Sequence, residues 1–336
     1  MSVEVLGPQH VGMYDHAPHS VKEVMVGRLA TGSRREERDD GFKVALAIEG
    51  GGYAGAVSAG MLVALEQVGF IETVDEIVGT STGALNGAST AAGQAALGST
   101  NYIELLDTNF INPWRALGGR KIVNFDRLMG DLIRDRRPID PDKLASGPAF
   151  GAVSVNLNTL EAELLKDFDD IEDMMLATRA SCALPLLTGP PVIYKGSPMT
   201  DGALLASVPF RTAQANGATH VLALRTRGED YRKDQYSKMN VGAVRFFGGS
   251  ALASLVAGRP RIYNQDAEDL QEGSDSVLQI ALSEAQAPVD QLEKSLARVL
   301  HGFELGVAAV GKAFGMPKPN VLWQPVPVIT TNQHGA

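Results

Sequence analysis

The sequence predicts an α/β fold, a three-layer sandwich whose helices cover a mostly parallel central sheet. Two observations carry that expectation. Short, continuous apolar runs, Val44–Ile48 and Val221–Leu224, have the length and composition of strands buried on both faces. Early in the core, a strand pattern is followed twice by a glycine-bearing turn and then a helical pattern, which is the building unit of a parallel sheet.

Taken in order, residues 1–40 read as an N-terminal tail. They hold His10, His16 and His19, whose irregular spacing favours a flexible arm over the alternative of a metal site, and end in the charged run Arg34–Asp40, which reads as a solvated linker. Val44–Ile48 is the first strand. Gly50-Gly51-Gly52 follows it, and Val57, Met61, Leu62, Leu65 and Val68 share one face of a helix over 54–68 that Gly69 stops. Glu76–Val78 is the second strand, then Gly79-Thr80-Ser81-Thr82-Gly83 and a small-residue helix to about Ala92. Ala152–Val155 and Ala162–Leu165 pair around Asn158-Thr159. Ile171–Arg179 is a helix. Val192–Tyr194 and Met199-Thr200 form a hairpin running into Asp201. Phe210–Asn216 is a helix closed by Gly217, ahead of the strand Val221–Leu224. These elements define a core over 41–227. Residues 228–336 read as a mainly helical region packing on it, with a strand at Val277–Ala281, a helix from Val289 to about Phe314, and a proline-marked extended tail.

Composition narrows the function. The chain has 336 residues, 44% hydrophobic and 21% charged, ordinary for a globular enzyme. Its net charge of −9 argues against nucleic acid as a partner. Cys182, the single cysteine, permits no intrachain disulfide and reads as a small core residue, with a reactive thiol as the alternative. No signal peptide or membrane-spanning run is evident, so a cytoplasmic protein is expected. Val241–Gly258 reads as a closely packed core helix. The alternative is an interfacial segment, with Arg245, Arg259 and Arg261, making peripheral membrane contact. Oligomeric state is not legible.

Gly79–Gly83 has the form Gly-x-Ser-x-Gly. After a strand and before a helix, that pattern puts Ser81 on a sharp turn at a helix N-terminus, where an alkoxide is favoured. Gly79 and Gly83 are the small residues such a turn needs. The consecutive amides of Gly50, Gly51 and Gly52 can converge on an anion, forming an oxyanion hole for an acyl hydrolase. Gly50, Gly52 and Gly55 also fit a dinucleotide-binding Gly-x-Gly-x-x-Gly. That reading needs an acidic residue at the C-terminal end of the second strand, whereas Asp75 and Glu76 stand at its start. Asp201-Gly202 alone reads as a turn. A serine nucleophile needs a base, however. His220 precedes a strand, His301 lies in the late helix and His334 near the end, so a carboxylate becomes the better choice.

Glu49-Gly50-Gly51-Gly52-Tyr53-Ala54-Gly55, Gly79–Gly83 and Asp201-Gly202-Ala203, in that order, resemble the three signatures of the patatin-like phospholipase family. Ala180–Pro185 resembles the family's segment ahead of the aspartate, and the likeness covers roughly 43–225. The resemblance implies a lipid acyl hydrolase (phospholipase A or lysophospholipase) that works through an acyl-enzyme. Ser81 would be the nucleophile, Asp201 the base and Gly50–Gly52 the oxyanion hole, with no cofactor or metal and a lipid ester as partner. Ala54 departs from the family, which usually has Arg there. Two rivals stand beside this reading: an α/β-hydrolase-type esterase using His220 or His301, and a catalytically weak lipid- or acyl-binding protein.

Overall fold

A computed structural model describes residues 19–106, 110–112, 121–184, 187–283 and 289–321. His10, His16, His334 and the proline-marked tail beyond 321 lie outside the described residues.

Eight strands form one sheet: β1 Val44–Ile48, β2 Glu76–Thr80, β3 Ala149–Asn156, β4 Glu161–Leu165, β5 Val192–Tyr194, β6 Ser197–Asp201, β7 His220–Gly228 and β8 Val277–Leu282. Their order is β5-β6-β3-β2-β1-β7-β8, with β4 also on β3. The β3–β2–β1–β7–β8 run is parallel, while β4, β5 and β6 pair antiparallel. The helices are α1 Val21–Thr31, α2 Gly55–Gln67, α3 Thr82–Ala91, α4 Ala95–Ser99, α5 Asn101–Glu104, α6 Pro141–Ser146, α7 Ile171–Ser181, α8 Phe210–Ala215, α9 Lys238–Glu272 and α10 Leu296–Phe314, with a π-helix at Arg127–Arg136.

Alternation along β1 explains the layers. Val44, Leu46 and Ile48 pack with α2, α3 and α10 on one face, while Ala45 and Ala47 pack with Phe210 and Ala213 of α8 and Leu270 of α9 on the other. Both sets are fully buried, so β1 reads as a continuous apolar run.

Three expectations need correction. The segment 1–40 is not all tail. Ser20 caps α1 through a capping box, and Val21, Val24 and Met25 are buried. The charged run is a solvated linker only in part: Arg34, Glu36, Glu37 and Asp39 are exposed, but Arg38 and Asp40 are tied to the core. Arg28 bonds Asp40 at 2.7 Å and Asp75 at 2.8 Å, and Arg38 reaches Asp75 at 2.5 Å. Those pairs close the N-terminal edge of the sheet beneath β1 and β2. The boundary near 227 falls inside the sheet, because β8 is hydrogen-bonded to β7. Residues beyond it therefore supply a strand as well as the covering helix α10, which begins at Leu296 rather than Val289.

The stretch 241–258 also divides. Gly249, at φ 84°, breaks α9. Leu252 and Leu255 pack against Val155 and Leu204, whereas Met239 and Phe246 ahead of the break are 79% and 83% exposed. Among the described residues no helix is long and apolar enough to cross a membrane.

Helix α10 lies unusually close to α2. A Cβ on Gly306 would come within 2.0 Å of the Val57 carbonyl oxygen, and one on Gly60 within 2.1 Å of the Phe303 oxygen. Gly306→Ala must part the two helices. It should cost roughly 1–3 kcal/mol, as overpacking of a dense core does, read as a lower urea midpoint; an unchanged midpoint would contradict this packing.

Candidate active site

The site forms where two strands meet end to end. Strand β3 has two edges. β4 runs along one, with Asn156 opposite Glu161. β2 occupies the other as far as Thr80, opposite Val153. There β2 stops, and β6 comes in from the opposite direction with Asp201 opposite Ser154. Because β4 already fills its edge, β6 takes the edge that β2 vacates. The residue after β2 and the last residue of β6 therefore face each other: Ser81 Oγ donates to Asp201 Oδ2 at 2.9 Å.

Ser81 has φ 55° and ψ −128°, a conformation L-residues rarely adopt, at a cost of roughly 1–3 kcal/mol. Its amide donates to Ser181 Oγ at 2.9 Å, and that hydroxyl donates to the Val153 carbonyl at 2.5 Å. Ser81 directly precedes α3, whose N-terminal partial positive charge favours negative charge on the hydroxyl. The turn is tight enough that a Cβ on Gly83 would sit 2.3 Å from the Ile48 carbonyl oxygen. Gly79 lies in β2 and Gly202 directly after β6.

Asp201 is 5% exposed. Burial raises its carboxyl above the ordinary range, against the Ala203 amide bond, the charge of Arg259 and the Ser81 hydroxyl, which all lower it. The Ala203 amide reaches Oδ1 at 2.8 Å, so the second oxygen is left to Ser81.

The glycine loop lies against this pair. A Cβ on Gly50 would be 2.7 Å from Ser81 Cβ. Gly51 turns at φ 139°, open to glycine alone, and among the described residues the amides of Gly51 and Gly52 donate to no protein acceptor. Glu49 anchors the loop from below. It accepts from the Thr226 amide at 2.6 Å and the Tyr263 hydroxyl at 3.0 Å, and Thr226 Oγ1 donates to the Gly50 carbonyl.

A cleft opens at Ser81 and Asp201, with Gly52 among its lining residues. Its walls are apolar, including Leu105, Phe110, Ile111, Val123, Phe125 and Leu128. Cys182 lies in this wall, and burial, then Asp201, push its thiol well up, so it stays protonated. His220 sits at the opposite end of the sheet, paired with Val44 and contacting the His19 carbonyl at 2.7 Å; His301 is exposed on α10. Neither lines the cleft. Ala54 is fully buried. Among the described residues no cluster of three or more His, Cys, Asp or Glu side chains is placed to hold a metal ion.

Sequence reasoning brought together Ser81, Asp201 and Gly50–Gly52. It gave no role to Glu49 or Ser181, although both stand inside quoted motifs. It took Arg259 only as part of a surface segment and passed over Gln291, whose carbonyl receives the Tyr53 amide at 3.1 Å. Gln291 and Arg259 carry no local signal, since each reaches the site only through the packing of a distant segment.

A family model described as patatin-like phospholipase matches residues 46–213, half of the chain. The uncharacterised protein YjjU of Escherichia coli (strain K12) is 25% identical over 220 residues, covering 64% of this chain and 60% of that protein. The chain thus spans less than two thirds of that relative's length. The crystal structure of VipD from Legionella pneumophila aligns at 16% identity with a TM-score of 0.46, over 82% of this chain and 67% of that one.

A raised carboxyl pKa is a stability statement. Above its folded pKa, Asp201 is a buried anion that destabilises the native state relative to the unfolded one; as pH falls toward the ordinary carboxylate value that penalty disappears. Asp201→Asn should therefore melt higher than wild type at neutral pH, with the difference shrinking on acidification through the raised pKa. A variant that melts lower at neutral pH would refute the burial argument.

Proposed function

The chain belongs to the patatin-like phospholipase family, and from that membership we propose that it is a serine hydrolase of lipid carboxylic esters, acting through a Ser81–Asp201 dyad and an acyl-enzyme. The 2.9 Å contact between the two side chains, at the mouth of an apolar cleft and beside the glycine loop, is the observation that carries the reading.

The acyl chain lies in the apolar cleft. Asp201 accepts the Ser81 proton as Oγ attacks the ester carbonyl, and the oxyanion turns to the Gly51 and Gly52 amides. The acyl–oxygen bond breaks, the alcohol leaves with the proton, and water enters with Asp201 again as base. Each well-placed amide donor contributes on the order of 3 kcal/mol to lowering the barrier. A free aspartate is a weak base with a pKa of about 3.9; burial raises Asp201 in the useful direction. Backbone amides carry the oxyanion alone in the glycine loop, because Ala54 brings no cation. Membrane contact is proposed through the α9 arm ahead of Gly249, where Met239 and Phe246 are exposed beside Arg245.

Labelling by a long-chain fluorophosphonate probe should be present in wild type and absent in Ser81→Ala. Hydrolysis of p-nitrophenyl esters and lysophospholipids should fall by about a thousandfold or more in Ser81→Ala and in Asp201→Asn, while His220→Gln and His301→Gln turn over normally. Activity should decline as pH falls through the raised Asp201 pKa, since the base is then protonated. An Asp201→Asn enzyme that keeps its turnover would reject the dyad; loss in a histidine variant would favour a triad. Flotation with phosphatidylcholine vesicles checks the arm: Met239→Ser/Phe246→Ser should bind less than wild type, and equal binding would remove that contact.

A further inference from the structure

An ester attacked by Ser81 with its acyl chain in the apolar cleft has its carbonyl at the end of that cleft. Side chains at that junction are the ones that can act on it. Beside the cleft lies a small hollow whose lining includes Gly51, Ala203, Leu204 and Arg259. Its free space is about that of one water molecule, the size of a carbonyl oxygen rather than of a substrate arm. Gly52 lines the cleft and Gly51 the hollow, whereas Ser81, Asp201, Leu184 and Gln291 line both. Arg259 lines the hollow alone. Leucine donates nothing, so among the described residues Gln291 is the hydrogen-bond donor, besides the dyad, that stands at the junction.

Anchors on both sides fix the backbone of Gln291. Val289 is fully buried, and a Cβ on Gly302 of α10 would come within 2.3 Å of its Cγ2. Arg227 donates to the Val289 carbonyl at 3.4 Å. On the other side the buried Glu293 carboxylate accepts from the Lys294 and Ser295 amides, both at 2.9 Å, directly ahead of α10. Between these anchors the Gln291 carbonyl receives the Tyr53 amide. The side chain then lies on the glycine loop: a Cβ on Gly52 would be 2.9 Å from Gln291 Cγ. The terminal amide, just beyond that Cγ, hydrogen-bonds no other described residue. Gln291 is exposed, so its N–H groups are free to turn to a bound ester. A donor carried on a fixed backbone beside the reacting atoms is preorganised for charge that develops there.

Resting on the hydrolase reading above, we infer that the Gln291 side-chain amide is a further oxyanion donor, completing the Gly51–Gly52 hole from a segment far downstream of the glycine loop. As Ser81 Oγ bonds to the carbonyl carbon, Asp201 takes the hydroxyl proton and the carbonyl π pair moves onto oxygen. The N–H groups of Gly51, Gly52 and the Gln291 side chain donate to that oxygen. When the pair returns, the acyl–oxygen bond breaks and the alcohol leaves with the proton from Asp201. The donor matters most in a chain where Ala54 leaves the loop without a cation.

Gln291→Ala keeps the backbone bond to Tyr53 and removes the donor. On p-nitrophenyl decanoate its kcat should fall by about tenfold to a hundredfold with KM little changed, the pattern of a lost oxyanion donor at a partly solvated position. Gln291→Glu fills the same space but sets a carboxylate against the oxyanion, so at mildly alkaline pH its kcat should fall below that of Gln291→Ala. A long-chain trifluoromethyl ketone, which adds to Ser81 as a tetrahedral oxyanion, should lose affinity in Gln291→Ala in proportion to kcat/KM. Both variants should melt with wild type, since the side chain is exposed. Wild-type kcat in Gln291→Ala, a loss carried by KM alone, a Gln291→Glu enzyme more active than Gln291→Ala, or a lower melting temperature accompanying the lost activity would each overturn the role of Gln291 while Ser81-dependent hydrolysis still stood. A wild type that neither hydrolyses the ester nor takes a fluorophosphonate at Ser81 would instead bring down the hydrolase reading, and this inference with it.

Discussion

Strand β3 sets the distance between Ser81 and Asp201. One residue of β3, Val153, ends its pairing with β2, and the next, Ser154, takes Asp201 from β6. Ser81 and Asp201, 120 residues apart in sequence, are thus held by consecutive positions of one buried strand. Val153 serves twice more. Its carbonyl accepts from Ser181, which in turn receives the strained Ser81 amide, and Gly202 passes so near that a Cβ would lie 2.2 Å from the same oxygen. The hydroxyl-to-carboxylate contact follows from sheet pairing rather than from loop conformation, which is how a positioned pair keeps its geometry while the surrounding loops differ.

Holding that pair opposes stability in three places. Ser81 has a backbone conformation that few L-residues adopt, Asp201 is a carboxylate with little water, and Glu49 is buried under the glycine loop. Each is supported by its neighbours: α3 and Ser181 for the first, the Ala203 amide for the second, Thr226 and Tyr263 for the third. The apolar layers around β1 and the tight α2–α10 crossing supply the rigidity that lets such local costs persist.

Much of this was legible in the sequence because its signals are local. Val44–Ile48, the two glycine turns and the hairpin ahead of Asp201 carry their conformations in a few consecutive residues, and the structure places those elements within a residue or two of the expected bounds. Misreadings came where a local signal had a distant partner. Arg34–Asp40 looks like a solvated linker until Arg28 and Asp75 come beside it. The strand at 277–282 was visible, but its membership of the main sheet was not, because pairing with β7 is a tertiary fact. Gly249 breaks α9 through a positive φ that a glycine-rich helical pattern does not announce. Arg259 and Gln291 are ordinary polar residues until the fold carries them to Ser81.

The family model ends at residue 213, yet the wall facing Gly51 includes side chains from 259 and 291. The Ser81–Asp201 pair and part of its surroundings are therefore encoded in separable stretches of the chain. A change in the downstream stretch can thus remodel what lies beside Ser81 with all three glycine- and aspartate-bearing motifs left intact.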